Sequence, residues 1–101
     1  MTDYSITKLY ISGKGLTKLS DDIDKYTNLE ILDCSENELT NLDNLPPKLE
    51  NLICNGNKIT TLDNLPLTLE RLSCFNNPFT YDFKPTLETI RNYNSIGKLS
   101  S

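Results

Sequence analysis

Three cysteines, Cys34, Cys54 and Cys74, recur at intervals of 20 residues. A set of thiolates is the raw material of a metal site or a redox relay. Metal-binding cysteines usually come in closely spaced pairs, with four ligands in a structural site. Here there are three, evenly spaced, and the sequence has no His to complete the set. The spacing suits a small apolar residue filling a core column, which is how buried free Cys commonly behaves. A disulfide between neighbours needs a dihedral that parallel inward side chains seldom offer. Glu30, Glu50 and Glu70 repeat at the same interval, with Glu88 as a looser fourth. Stacked carboxylates suit acid–base work or calcium, but no nucleophile or base recurs beside them. A solvated stripe at the entrance to a strand, open to a cation or a basic partner, is the simpler reading.

Composition points the same way. The chain has 101 residues, a formal net charge of −4, 37% hydrophobic and 24% charged residues, and no His, Trp, Gln, Ala or Val. Without His, the commonest general base and metal ligand is missing. No glycine-rich phosphate loop and no nucleophile–base pair stand out, so the expectation is a protein that is not an enzyme and needs no cofactor or metal. A net acidic charge argues against an electrostatic grip on nucleic acid or anionic lipid. No run approaches the roughly 20 apolar residues of a membrane span, and no secretory signal opens the chain. An odd number of cysteines and the absence of an Asn-x-Ser/Thr sequon favour a reducing, cytoplasmic setting.

The cysteines and glutamates belong to a longer repeat. Leu29-Glu30-Ile31-Leu32-Asp33-Cys34-Ser35-Glu36-Asn37 returns as Leu49-Glu50-Asn51-Leu52-Ile53-Cys54-Asn55-Gly56-Asn57, and again as Leu69-Glu70-Arg71-Leu72-Ser73-Cys74-Phe75-Asn76-Asn77. A looser copy precedes them, with Ile6, Leu9, Ile11, Leu16 and Leu19 in the apolar slots but Lys14 where the others have Asn. In each copy two apolar residues stand either side of one outward residue, which is polar in two copies, Tyr10 in the first and Ile53 in the third, the spacing of a short strand. Apolar residues then recur every third position (Leu39, Leu42, Leu45; Ile59, Leu62, Leu65), which suits a 3₁₀-like or extended return. Pro46, Pro47 and Pro66 on that return block a long helix. Units of 20 residues leave no room for a strand, a full helix and two turns. The expected architecture is a solenoid with one sheet of short parallel strands, an irregular or 3₁₀ convex side and a short C-terminal capping helix.

The pattern L-x-x-L-x-C-x-x-N-x-L-x-x-L-x-x-L-P, over about residues 6–83, resembles the leucine-rich repeat. The resemblance implies a solenoid with a non-catalytic role in protein recognition. Short repeats of this Leu-Pro type are similar to those of bacterial secreted effectors and of giant-virus and amoebal proteins. In some of those effectors the repeats address a separate ubiquitin-ligase domain. No Cys here lies in a C-x-D motif, and the C-terminal remainder is too short for such a domain, so only the recognition role is expected to transfer.

The division expected is a single domain over 1–101, with units at about 6–28, 29–48, 49–68 and 69–85, a cap at 86–94 and a tail at 95–101. Thr86 suits a helix N-cap with Leu87, Ile90 and Tyr93 on the buried face. The alternative is a fifth strand at Leu87–Ile90, which mimics the start of the repeat. Asn37, Asn57 and Asn77 should turn inward as a ladder that satisfies backbone groups after each strand, alongside the column of Cys34, Cys54 and Cys74.

The outward strand positions are free to carry specificity. Ile31, Ile53 and Phe75 fall on a diagonal across adjacent strands with Tyr10 nearby, and apolar residues at solvent positions are informative. Asp33 and Arg71 supply a polar rim. These six are the candidate partner-binding residues. Residues 29–70 carry eight acids against two lysines, so a basic or mixed-charge protein is the expected partner. The competing expectation is a structural unit that self-associates weakly into dimers or head-to-tail stacks.

Overall fold

The computed structural model describes residues 2–99, with side chains described through Ile96. Four three-residue strands, β1 (Lys8–Tyr10), β2 (Ile31–Asp33), β3 (Asn51–Ile53) and β4 (Arg71–Ser73), are followed by one helix, α1 (Leu87–Leu99). The strands form one parallel sheet in sequence order. This arrangement is compatible with a solenoid. The long axis is 44 Å, against 25 and 21 Å for the others.

Register follows the repeat. Leu9, Leu32, Leu52 and Leu72 lie opposite one another across the sheet. Each is the inward residue of its strand, so the leucines form one column. Leu29, Leu49 and Leu69 make a second column, Cys34, Cys54 and Cys74 a third, and Leu39 and Ile59 extend the core toward the return side, all of them buried. A strand of three residues buries little alone, and the stack supplies what each unit lacks. Strand pairing continues past the strand ends: Cys34 N–H donates to Ile53 O and Cys54 N–H to Ser73 O, both at 2.8 Å.

The return segments are irregular. Only the first contains a helical turn, a 3₁₀ segment at Ile23–Lys25. In the next two, tight turns at the prolines close the loop, with Leu49 N–H donating to Pro46 O and Leu69 N–H to Pro66 O. Proline suits these sites because the turn uses its carbonyl and asks nothing of its missing donor.

The C-terminal segment is a helix and not a fifth strand. Thr86 and Thr89 bond reciprocally: Thr89 N–H donates to Thr86 Oγ1 (3.1 Å) and Thr86 N–H to Thr89 Oγ1 (2.8 Å). This is the geometry of a capping box. Ile90 is fully buried under the last unit, while Tyr93 is half exposed. The helix passes the expected end at residue 94 and continues to Leu99. Nothing in Ser95-Ile96-Gly97-Lys98-Leu99 breaks it, and a lone Gly in a helix costs only about 1 kcal/mol. Residues 100 and 101, assigned to the expected tail, lie outside the described residues. No helix among the described residues is long and apolar enough to cross a membrane.

Candidate functional site

The site is built on the outward side of the sheet. One row across the strands reads Lys8, Ile31, Asn51, Arg71 and the next reads Tyr10, Asp33, Ile53, Ser73. Beyond the strands, Glu36 N–H donates to Asn55 O and Gly56 N–H to Phe75 O, which fixes a third row of Ser35, Asn55 and Phe75. Ile31, Ile53 and Phe75 therefore step diagonally, one row per strand. Phe75 is 68% exposed and Tyr10 60%, whereas Ile31 and Ile53 are half-buried by their neighbours in the sheet. Tyr10 is in the same row as Ile53 but two strands away, at the far edge.

The polar residues are divided between rim and framework. Arg71 is exposed and forms no ion pair among the described residues. Asp33 has a local task, its Oδ1 accepting the Ser35 N–H at 3.1 Å. Asn55 fixes the Phe75 end: its Oδ1 accepts from Phe75 N–H at 2.6 Å and from Ser73 Oγ at 3.0 Å. Glu30, Glu50 and Glu70 are exposed and line, with Ile31, Asn51 and Arg71, a shallow groove of about 210 Å³. Among the described residues no group of three or more Cys, Asp or Glu side chains is arranged to hold a metal ion.

The thiols lie on the inward side of the sheet and are unsuited to chemistry. All three are free and buried. Burial, then the charge of Asp33, pushes the Cys34 thiol from 9.0 up to about 12. Burial and the neighbouring thiols push Cys54 up as well, and burial alone raises Cys74. A nucleophilic or metal-binding Cys needs the opposite shift, toward thiolate.

Asparagines support the sheet face from behind. Asn57 Oδ1 accepts Leu39 N–H at 3.0 Å, while its Nδ2 donates to Cys34 O and Cys54 O, each at 3.1 Å. Asn77 repeats this with Ile59 N–H (3.1 Å), Cys54 O (3.0 Å) and Cys74 O (3.2 Å). Asn37 accepts from both Lys14 and Leu16 N–H groups and donates to Ile11 O and Cys34 O. Each amide thus serves its own unit and the one before it.

Two features escaped the sequence reading. The slot preceding the ladder is left-handed in every unit: Gly13 (φ +65°), Glu36 (+54°), Gly56 (+66°) and Asn76 (+56°). Two glycines and an asparagine at one repeat position were the available signal, since these residues enter that region most readily. Arg91 and Asn94 on α1 are the second. The Arg91 guanidinium donates to Pro66 O (3.0 Å) and Leu69 O (2.8 Å), and Asn94 Nδ2 to Leu62 O (3.0 Å) and Asp63 O (3.1 Å). Neither lies in the repeat, so periodicity held no sign of them. No family model, curated protein or solved structure matches this chain.

Proposed function

We propose that this chain is a small leucine-rich-repeat solenoid acting as a non-catalytic binding module, with a partner protein seated on the strand-lined face. The observation that carries this reading is the apolar diagonal of Ile31, Ile53 and Phe75 on the outward side of the sheet, with Tyr10 at its edge. The inward columns already supply the core, so stability does not ask for a bare Phe75 or Tyr10. Exposed aromatics beside polar neighbours such as Asp33 and Arg71 are the usual composition of an interface.

The acidic middle of the chain favours a basic or mixed-charge protein surface over nucleic acid. Three unpaired buried thiols fit a reducing, cytoplasmic compartment. Size sets the expected strength. Four short strands about 4.8 Å apart present only a few hundred Å², whereas a standard interface buries about 800 Å² per partner. The face by itself gives weak or transient binding, and flanking loops must contribute to anything tighter.

The test compares wild type with Ile31→Ser/Ile53→Ser/Phe75→Ser after melting curves show that both fold. Proteins captured from lysate by wild type and lost with the triple variant support the face. Capture of the same proteins by both removes the diagonal from the interface. Mass that rises with concentration in light scattering, with nothing captured, replaces the reading with self-assembly.

A further inference from the structure

The bonds between neighbouring units show what each unit asks of the one after it. The N–H groups of Cys34 and Glu36 donate forward to Ile53 O and Asn55 O, and those of Cys54 and Gly56 to Ser73 O and Phe75 O, all at 2.8 Å. The following unit's asparagine completes the contact by accepting Leu39 or Ile59 N–H and donating to Cys34 O or Cys54 O. Besides the carbonyl of Glu30 or Glu50, which accepts two N–H groups of the next unit, a unit therefore offers its successor three donors and one acceptor at and after the end of its strand. In the last unit these are the N–H groups of Cys74, Asn76 and Phe79 and the carbonyl of Cys74. Among the described residues none of the three N–H groups meets an acceptor, and Cys74 O receives only the amide of Asn77 from its own unit.

Helix α1 buries Ile90 against this unit, and Cys74 Sγ lies 3.9 Å from Pro85 O in the segment before it, but α1 gives these backbone groups no hydrogen-bond partner. Its polar contacts go to Leu62, Asp63, Pro66, Leu67 and Leu69 on the return side. Beside the edge lies an open groove of about 280 Å³ lined by Phe75, Asn76, Phe79, Tyr81, Phe83 and Pro85, among others. That is just under the roughly 300–1,000 Å³ of small-molecule pockets and suits side chains of a peptide.

The geometry points to this edge as a docking site for an extended segment of a partner protein, added parallel to β4 as a fifth strand and bringing an asparagine three residues after an inward apolar side chain. Main-chain bonds would supply affinity and the groove would select side chains, as in strand addition generally. The amide is required because one side chain must accept from Phe79 N–H and donate both to Cys74 O and to a carbonyl of its own strand, as Asn57 and Asn77 do, and a hydroxyl has only one proton to give. A carboxylate only accepts and an ammonium only donates. For the same reason the first unit of a second copy is a poor occupant, since Lys14 stands in the asparagine slot. This site is an end of the stack, separate from the strand face, and does not depend on the function proposed for that face.

The probe is a synthetic peptide with the sequence of residues 49–60, which carries Cys54 and Asn57 at the required spacing. It is titrated into the full ¹⁵N-labelled chain under reducing conditions. The expected result is saturable shifts at the amides of Cys74, Asn76 and Phe79 with slowed hydrogen exchange there. A peptide bearing Asn57→Leu should bind at least about tenfold more weakly. Ile31→Ser in the protein, which damages only the face, should leave peptide binding unchanged. No saturable shift at those amides near about 1 mM peptide overturns the proposal. Equal binding of the Asn57→Leu peptide overturns the asparagine requirement, and shifts at these amides on concentrating the protein alone show that a second copy is the occupant.

Discussion

The two ends of the stack are closed by different means. At the first unit a small aromatic and polar cluster suffices. Tyr4 packs edge-on against Tyr26 with centroids 5.0 Å apart, donates to Asp22 at 3.1 Å and has Lys25 Nζ 5.9 Å above its ring. At the last unit, α1 buries Ile90, Arg91 and Asn94 hold return-side carbonyls, and Phe79, Tyr81, Phe83 and Tyr93 pack together. The direction of the asparagine ladder accounts for the difference. Each amide reaches back to the preceding unit, so the first unit receives one without having its own, and Lys14 is tolerated there. The last unit gives an amide and receives none. Its apolar side needs a lid, and its strand edge is left for water or a partner.

The largest effect that distinguishes the ends is expected at the lid. Ile90→Ala removes a fully buried side chain and should destabilise by about 2–5 kcal/mol. Tyr4→Phe keeps the ring, loses one half-buried hydrogen bond and should cost about 1 kcal/mol. Denaturant unfolding measures both, and equal costs would mean that the two closures are equivalent. Next come the asparagines. Asn57→Ala strands buried backbone groups of two units and should cost about 1–3 kcal/mol. Asn77→Ala should cost less, because Asn77 is only half-buried and water can replace it. A harmless Asn57→Ala would remove the ladder from the account.

Much of this was legible in the sequence because one physical rule, burial between stacked units, writes itself at a fixed period. The four strands, the leucine and cysteine columns and the inward asparagines all fall at repeat positions. What lay outside the repeat was harder. Thr86 announced the start of α1, but its end had no Gly-Pro stop, so a boundary at residue 94 rested on no residue. Arg91 serves carbonyls some 22 to 25 positions away, a pairing with no local trace. The candidate site was partly legible: register follows from the repeat, hence the diagonal. The half-burial of Ile31 and Ile53 depends on neighbouring side chains, which spacing does not encode. Glu36 shows the same limit, since a left-handed turn there is unremarkable for Gly56 and Asn76 but costly for Glu.

The thiols give a graded readout of the same comparison. Cys34 and Cys54 are sealed between units, while Cys74 faces the groove and the Pro85 carbonyl. Under native conditions near neutral pH, iodoacetamide should modify Cys74 first and the other two only as fast as the chain opens. Mass spectrometry of digests reads the order, and equal rates would mean that the last end is no more open than the middle. Alkali should also destabilise. The folded thiols keep their protons while unfolded ones ionise near their ordinary value of 9.0, with Cys34 held up to about 12. Their contribution is therefore intact below about pH 9 and is lost as pH rises from about 9 toward about 12. A melting temperature flat across that window would contradict the burial of the column.

The smallest expected effect on stability is the sharpest test of direction. Lys14→Asn restores the repeat residue in the one unit that lacks it. If the amide acted mainly within its own unit, this change would stabilise the chain by as much as Asn57→Ala destabilises it. Because the amide's accepting bond and one of its donated bonds go to the preceding unit, which the first unit lacks, the expected change is within about 0.5 kcal/mol, as for most surface substitutions. The variant should differ in another respect. Its first unit now carries a side chain that both accepts and donates, the chemistry that the open edge beside β4 calls for. Self-association measured by sedimentation should therefore appear or strengthen in Lys14→Asn relative to wild type, with its monomer stability unchanged. A gain of more than about 1 kcal/mol without association would show that the ladder is local and that the two ends differ for some other reason.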